Sequence, residues 1–236
     1  MKLLLFDVYH TLLSITSCPW NEGNYQKCVE SFLPGSTIPE WSRVSSQLEK
    51  AIQREHTRAK QIQRAEVQWH RLLLESFPAA SRLSQQKLHG FAGALMSLQR
   101  TAGLMSGADE TLREAQKAGC KLGICSNAQG YTLAELDQAL APHGISRALF
   151  DPFFVFWSFE HGYAKPDPYV FHLLRERAAG SGIRAEEILM IGDRLDNDVH
   201  PALHAGMNAW HFSSIPEHTL GGTHQDLVNF LKPGKR

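Results

Sequence analysis

Two hydrophobic patterns alternate along the chain. Leu3-Leu4-Leu5-Phe6 is apolar at every position and runs straight into Asp7, as a central parallel strand covered on both faces does. From about Trp20 to Thr101 nothing reads as a strand, and apolar residues recur at spacings of three and four. Thr37-Ile38-Pro39-Glu40 has the form of a capping box, with Pro39 suited to a first turn. It predicts a helix to about Lys60 that carries Trp41, Val44, Leu48, Ile52 and Glu55 on one side. A second helix is predicted near Ala65 to Phe77, and a third from Ser84 with Leu88, Phe91, Leu95 and Leu98. Thr101 to Gly107 reads as the return linker.

Beyond the linker, strands and helices alternate. Asp109 to Ala118 is a helix ended by Gly119, and Lys121 to Cys125 a strand closing on Ser126-Asn127. Tyr131 to Leu140 is helical and Phe153 to Trp157 a strand; the loop Lys165 to Pro168 leads into a helix, Tyr169 to Ala178. Ile188 to Ile191 is a strand closing on Gly192-Asp193, and Asp196 to Ala205 a short helix stopped by Gly206. A strand, Asn208 to Phe212, and a helix, His224 to Leu231, finish the pattern. This order predicts an α/β fold, a Rossmann-like doubly wound parallel sheet with helices on both faces. Its core takes residues 1–14 and 102–236, and residues 15–101 form an inserted all-helical cap domain. The insert leaves from the end of the first strand, so it sits over the C-terminal edge of the sheet.

Composition narrows the class. Apolar residues make up 43% of the chain, enough for a core without staples. Lys plus Arg and Asp plus Glu are 24 each with no basic run, which argues against nucleic acid or an anionic membrane as partner. Cys18, Cys28, Cys120 and Cys125 have neither CxxC nor metal-ligand spacing, and suit a reduced, cytoplasmic protein. Asp7 interrupts the first apolar run too early for a signal peptide, and no stretch approaches the ~20 apolar residues of a membrane span.

In a parallel sheet all strands end at one edge, where ligands bind. Asp7, Ser126, Lys165 and Asp193 each follow a strand there. Alone, Asp7 is as well explained as a turn residue after a strand. Together the four are a carboxylate, a hydroxyl beside an amide, an ammonium, and a carboxylate cluster with Asp196 and Asp198. That set suits phosphoryl chemistry, with Lys and Ser on phosphate oxygens and carboxylates on Mg²⁺. One carboxylate is placed to act as a nucleophile.

Here the sequence resembles the haloacid dehalogenase superfamily of hydrolases, in its helical-cap (C1) subgroup. Phe6-Asp7-Val8-Tyr9-His10-Thr11-Leu12 is similar to its first motif and Ile124-Cys125-Ser126-Asn127 to its second. Ala164-Lys165-Pro166-Asp167-Pro168 with Phe171 is similar to the third. Ile191-Gly192-Asp193-Arg194-Leu195-Asp196-Asn197-Asp198, followed by Ala205-Gly206-Met207, is similar to the fourth. The resemblance implies Asp7 as nucleophile through an aspartyl intermediate, with Lys165 steadying its charge. Ser126 and Asn127, with Tyr9, His10 and Thr11 of the first loop, are the implied phosphate and substrate contacts. Asp7, the Tyr9 main-chain carbonyl, Asp193 and Asp198 are the implied Mg²⁺ site, Asp198 either binding directly or standing behind a ligand.

One position departs from the pattern. The superfamily's phosphatases carry an aspartate two residues after the nucleophile, as general acid and base; this chain has Tyr9. Asp7-Val8-Tyr9-His10-Thr11 is closer to the motif of the members that cleave carbon–halogen bonds, but those need no metal and usually carry a fourth motif rich in Ser and Asn. Tyr9, with an ordinary phenol pKa near ~10, is a poor base, and is expected to pack against the cap or bind substrate. His10 has an imidazole suited to proton transfer, yet filling space under the cap linker explains it more simply. His56, Arg58, Arg64 and His70 are expected on a solvated helix face, and Trp41, Trp69 and Phe91 in the cap core. Asp196 is expected to cap a helix and Arg194 to lie at the site rim.

The residues and the resemblance together point to a Mg²⁺-dependent phosphatase of small phosphorylated metabolites, a monomer or homodimer acting on a small-molecule substrate. A metal-free 2-haloacid dehalogenase is the enzyme alternative. A low-turnover phospholigand-binding or regulatory protein is the alternative from another class.

Overall fold

A computed structural model of the chain describes residues 1–58, 66–67, 69–218 and 220–232. The elements in chain order are β1 (Leu3–Phe6), β2 (Leu13–Ser17), α1 (Glu22–Phe32), α2 (Trp41–Arg58), α3 (Trp69–Ser76) and α4 (Gln85–Ser97). Then follow β3 (Arg100–Leu104), α5 (Ala108–Lys117), β4 (Lys121–Ser126), α6 (Thr132–Leu140), β5 (Val155–Trp157) and α7 (Ser158–His161). The chain continues with α8 (Pro168–Gly180), β6 (Ile188–Gly192), α9 (His200–His204), β7 (Asn208–Phe212), β8 (Gly221–Gly222) and α10 (His224–Leu231).

Six strands form one parallel sheet in the order β5-β4-β1-β6-β7-β8. β1 is central, with Leu3 opposite Lys121 on one side and Ile188 on the other. Alternation along β1 divides the core in two, as a pleated strand requires. Leu4 and Phe6 pack with Leu112 of α5, Leu136 of α6 and Leu227 of α10 on one face. Leu3 and Leu5 pack with Phe171 and Leu174 of α8 and Ala202 of α9 on the other. This is the Rossmann-like doubly wound sheet that the alternating pattern predicts. At Gly123 of β4 a Cβ would collide with the Phe154 carbonyl, so a residue without one lets the 3-10 turn before β5 cross that close.

The segment between β2 and β3 has its own apolar centre. Tyr25 and Val29 of α1, Val44 and Leu48 of α2, Leu72 and Leu73 of α3, and Leu88, Phe91 and Leu95 of α4 pack together. Trp41 and Trp69 lie partly buried against this centre. α4 follows its Ser84 cap, whose side chain accepts from Lys87 N. α2, in contrast, does not start at the Thr37 capping box. Residues 37–40 are non-helical, and the first turn bonds to the Glu40 carbonyl. Pro39 biases Ile38 toward extended backbone, and the Pro39 carbonyl is taken by the Tyr25 hydroxyl at 2.6 Å. The ends expected near Lys60 and Ala65 lie outside the described residues.

Both connections to the insert run through one antiparallel ribbon, β2 against β3, with Leu13 opposite Leu104 and Ser17 opposite Arg100. The expected linker after Thr101 is therefore a strand. The expected helix from Asp196 is also different: Leu195–Val199 is a single π-helical turn, followed by α9 with Pro201 in its first turn. Among the described residues no helix is long and apolar enough to cross a membrane.

α10 is tied to the first loop by a buried histidine. His224 Nε2 donates to the Thr11 carbonyl at 2.8 Å, and its Nδ1 accepts from the Thr111 hydroxyl at 3.0 Å. Burial holds its imidazole below the usual histidine range. The unfolded chain thus binds this proton more tightly than the folded chain. The stability linked to His224 is complete above the ordinary value of ~6.5 and is lost as pH falls below it. Urea denaturation followed from about pH 8 to pH 5 should show this fall, and His224→Gln should show a shallower one.

Candidate active site

Asp7 ends β1 at the C-terminal edge, its N–H donating to the Ile191 carbonyl at 2.9 Å. Lys165 comes from the loop after α7 and is only 2% exposed. Its Nζ donates to Asp7 Oδ1 at 2.8 Å and also contacts Asp198 Oδ1. Burial pushes the Lys165 ammonium down, but Asp198 and Asp7 more than offset this and its pKa ends above the ordinary lysine value. Burial raises the Asp198 carboxyl to about 7, and Lys165 pulls it only partway back.

Asp198 is aimed by local backbone. The π turn places it so that Oδ2 accepts from Arg194 N at 3.1 Å. A Cβ on Gly192 would overlap the Asp198 carboxylate, so the glycine at the end of β6 makes the room that side chain occupies. The Asp193 carbonyl accepts from His211 of β7 at 3.2 Å. Burial and the nearby Asp7 raise the Asp193 carboxyl. Asp7, Asp193 and Asp198 each present a carboxylate oxygen within 4.8 Å of the others. This all-oxygen, acidic donor set fits a hard divalent cation such as Mg²⁺, and crowding of buried negative charge is what such an ion relieves.

A cavity of about 320 Å³ covers this cluster. Asp7, Tyr9, His10, Asn127, Lys165, Asp193 and Asp198 all line it. Glu66, Arg194 and Asn197 line it as well. Arg194 is exposed, with its guanidinium on Asp196 at 2.6 and 3.0 Å, so Asp196 is an ion-pair partner inside the turn and not a helix cap. A larger cavity, about 840 Å³, lies against Ile124, Phe150 and Trp157, and none of the carboxylates or the lysine of the site reaches it.

Several expected contacts are engaged elsewhere. The Asn127 amide is spent on the main chain of Lys165, accepting from its N–H at 2.7 Å and donating to its carbonyl at 2.9 Å. It fixes the lysine loop. Tyr9 lines the cavity, but its hydroxyl turns to Thr132 Oγ1 at 2.8 Å and to Glu135, and accepts from Arg100 at 3.0 Å. Burial and Glu135 raise this phenol well above its ordinary pKa, which removes it as a proton donor to substrate. Thr11 and Ser126 are fully buried, do not line the cavity, and carry hydroxyls without a partner among the described residues. His10 holds φ at 60°, the one positive-φ non-glycine among the described residues, at a position where the backbone favours glycine. His70 is half-buried with its ring 4.5 Å from His89, off the solvated face expected for it. Arg64 and the side chains of His56 and Arg58 lie outside the described residues.

Sequence reasoning missed Glu66, which no motif marks, and Gln129, which holds it. Gln129 follows the second motif by two residues, and its neighbours are legible only once the insert is folded over it.

A family model described as haloacid dehalogenase-like hydrolase matches residues 1–206. The "Rhythmically expressed gene 2 protein" of Drosophila melanogaster is 25% identical over 233 residues, covering 92% of this chain and 83% of that protein. A glyceraldehyde 3-phosphate phosphatase of Methanocaldococcus jannaschii is 34% identical over 120 residues, 50% of this chain and 45% of that one. Among solved structures, the 2-haloacid dehalogenase from Pseudomonas syringae pv. Tomato superposes with a TM-score of 0.61 at 18% identity, over 98% of this chain and 96% of the other. At that identity the likeness is one of fold.

Removing the ammonium tests the ion cluster directly. Lys165→Met leaves two carboxylates facing each other without a counter-charge, and breaking a buried pair this way costs ~3–5 kcal/mol. Urea denaturation at neutral pH should show a loss of that size; a loss below about 1 kcal/mol would mean that the cluster is not buried as a unit.

Proposed function

The chain belongs to the haloacid dehalogenase-like hydrolases, and we propose that within them it is a Mg²⁺-dependent phosphatase of small phosphorylated metabolites. The observation that carries this reading is the meeting of Asp7, Asp193 and Asp198 within 4.8 Å beside a buried lysine. A metal ligand such as Asp193 is of little use to a carbon–halogen cleaving enzyme. The acidic fourth-motif loop, the π turn and Gly192 all serve to crowd carboxylates that a cation would separate. The Methanocaldococcus jannaschii relative, named as a phosphatase, supports the same direction.

In this reading Asp7 attacks phosphorus in line with the leaving alkoxide, forming an aspartyl-phosphate that water then opens. Lys165 holds Asp7 Oδ1 in place and keeps its charge from the incoming phosphoryl oxygens. Asn127 sets the lysine by both of its main-chain polar groups. The Ser126 hydroxyl has no partner among the described residues but does not line the cavity, so this reading gives it no contact to the phosphoryl group. Asp7, Asp193, Asp198 and the Tyr9 main-chain carbonyl would hold Mg²⁺. When bound there, the ion supplies charge neutralisation to the phosphoryl group. The helical insert acts as a cap that keeps bulk water from the cavity.

Tyr9 at the second-aspartate position keeps a 2-haloacid dehalogenase as the second reading. Mg²⁺-dependent phosphate release from an aryl phosphate, with no metal-free halide release from chloroacetate, separates the two. Asp7→Asn should then show no turnover above background with its fold intact by circular dichroism; turnover at the wild-type rate would exclude a covalent aspartyl mechanism.

Asp193→Ala should lose Mg²⁺ binding as well as most activity. Calorimetric titration of Mg²⁺ into both proteins measures this without any turnover, and equal affinities would remove Asp193 from the metal site.

A further inference from the structure

The three carboxylates of the cluster are not held in the same way. Asp7 and Asp198 both meet the Lys165 ammonium, and Asp198 Oδ2 also accepts from Arg194 N at 3.1 Å. The Asp193 carboxylate is met by its own main-chain N–H, and no described side chain donates to it. Its direction therefore depends on how the main chain of residue 193 is fixed.

His211 supplies that hold. It lies in β7 opposite Gly192, the residue before Asp193, and is only 6% exposed. Its Nδ1 accepts from Glu217 N at 3.0 Å. A ring nitrogen that accepts carries no proton, so the proton is on Nε2. The contact of Nε2 with the Asp193 carbonyl, at 3.2 Å, is thus a donated hydrogen bond. The loop after β7 is folded back to make this arrangement. Ser213 Oγ accepts from Ile215 N at 3.1 Å, and the His211 N–H donates to the Leu220 carbonyl at 3.0 Å. One rigid ring therefore spans two main-chain segments, with the tautomer set on the loop side and the donor presented on the site side.

We infer that His211 is a positioning residue for the metal-binding carboxylate. Through Nε2–H it fixes the Asp193 main chain, and with it the direction of the Asp193 side chain toward Asp7 and Asp198. This rests on the phosphatase reading above, in which Asp193 holds Mg²⁺. A group that stands behind a metal ligand typically carries ~10–100-fold in metal affinity.

Calorimetric titration of Mg²⁺ into wild type, His211→Asn and His211→Gln tests this without turnover. Asparagine offers Glu217 N an acceptor in the place of Nδ1 but stops short of Asp193. Glutamine reaches the place of Nε2 and can donate to the Asp193 carbonyl. His211→Asn should weaken Mg²⁺ binding on the order of tenfold, and His211→Gln should keep it within about threefold of wild type. Equal affinities in wild type and His211→Asn, or equal weakening in the two variants, overturns the inference and leaves the phosphatase reading standing. A merely structural role would lower Tm in both variants without separating their affinities. If either variant fails to fold, wild type carries the test alone. Its long-range ¹H–¹⁵N correlation spectrum should show His211 protonated at Nε2, with ring resonances that shift as Mg²⁺ saturates the site. A proton on Nδ1, or a ring unmoved by Mg²⁺, overturns the inference. Absence of Mg²⁺ binding by wild type overturns the phosphatase reading and this inference with it.

Discussion

An ammonium taken out of water is tolerated only where carboxylates meet it, and Lys165 is such a group. Its two partners come from the end of β1 and from the turn after β6, so three distant stretches of chain are brought to one point. Much of the local geometry follows from that requirement. β1 lies beside β6 in the sheet, Gly192 clears the space in front of Asp198, and the π turn rotates Asp198 back toward the lysine. Asn127 fixes the lysine from the far side through its backbone. The site is an electrostatic knot that the sheet edge is shaped to hold.

Much of this was readable in the sequence because it depends on burial. Strands covered on both faces are continuous apolar runs, and β1, β4, β6 and β7 fall within a residue or so of the patterns that predict them. Glycines and acidic residues at strand ends marked the edge where chemistry gathers. The illegible parts are those set by long-range contact. β2 and β3 are five-residue, half-exposed strands that only become strands against each other. β8 is two glycines. The start of α2 was misread because the Pro39 carbonyl is claimed by Tyr25, fourteen residues earlier. Glu66 and Gln129 are ordinary polar residues until the insert is laid on the core, and no spacing reveals them.

Tyr9 shows what the departure from the phosphatase motif has done to the molecule. The position that in the phosphatase motif carries a carboxyl here joins the loop after β1 to Arg100 of β3 and Glu135 of α6. The Arg100 guanidinium also lies over the Tyr9 ring, 4.8 Å from its centre. A group that would move protons has been replaced by one that ties the loop to the ribbon leading into the insert. Beside it, His10 keeps a left-handed backbone that its side chain does not favour.

The order of the sheet has a consequence for synthesis as well as for chemistry. β1 is synthesised before either of its neighbours, which begin at Lys121 and Ile188. The insert is built from helices that contact one another at short range, so it can collapse while β1 still lacks both partners. At ~5–20 residues per second, β1 waits on the order of 10 s or more for its second neighbour. The strand that leads to Asp7 is thus made before both of its neighbours and among the last to be paired, and during that interval its Leu3–Phe6 run is what chaperones and aggregation compete for.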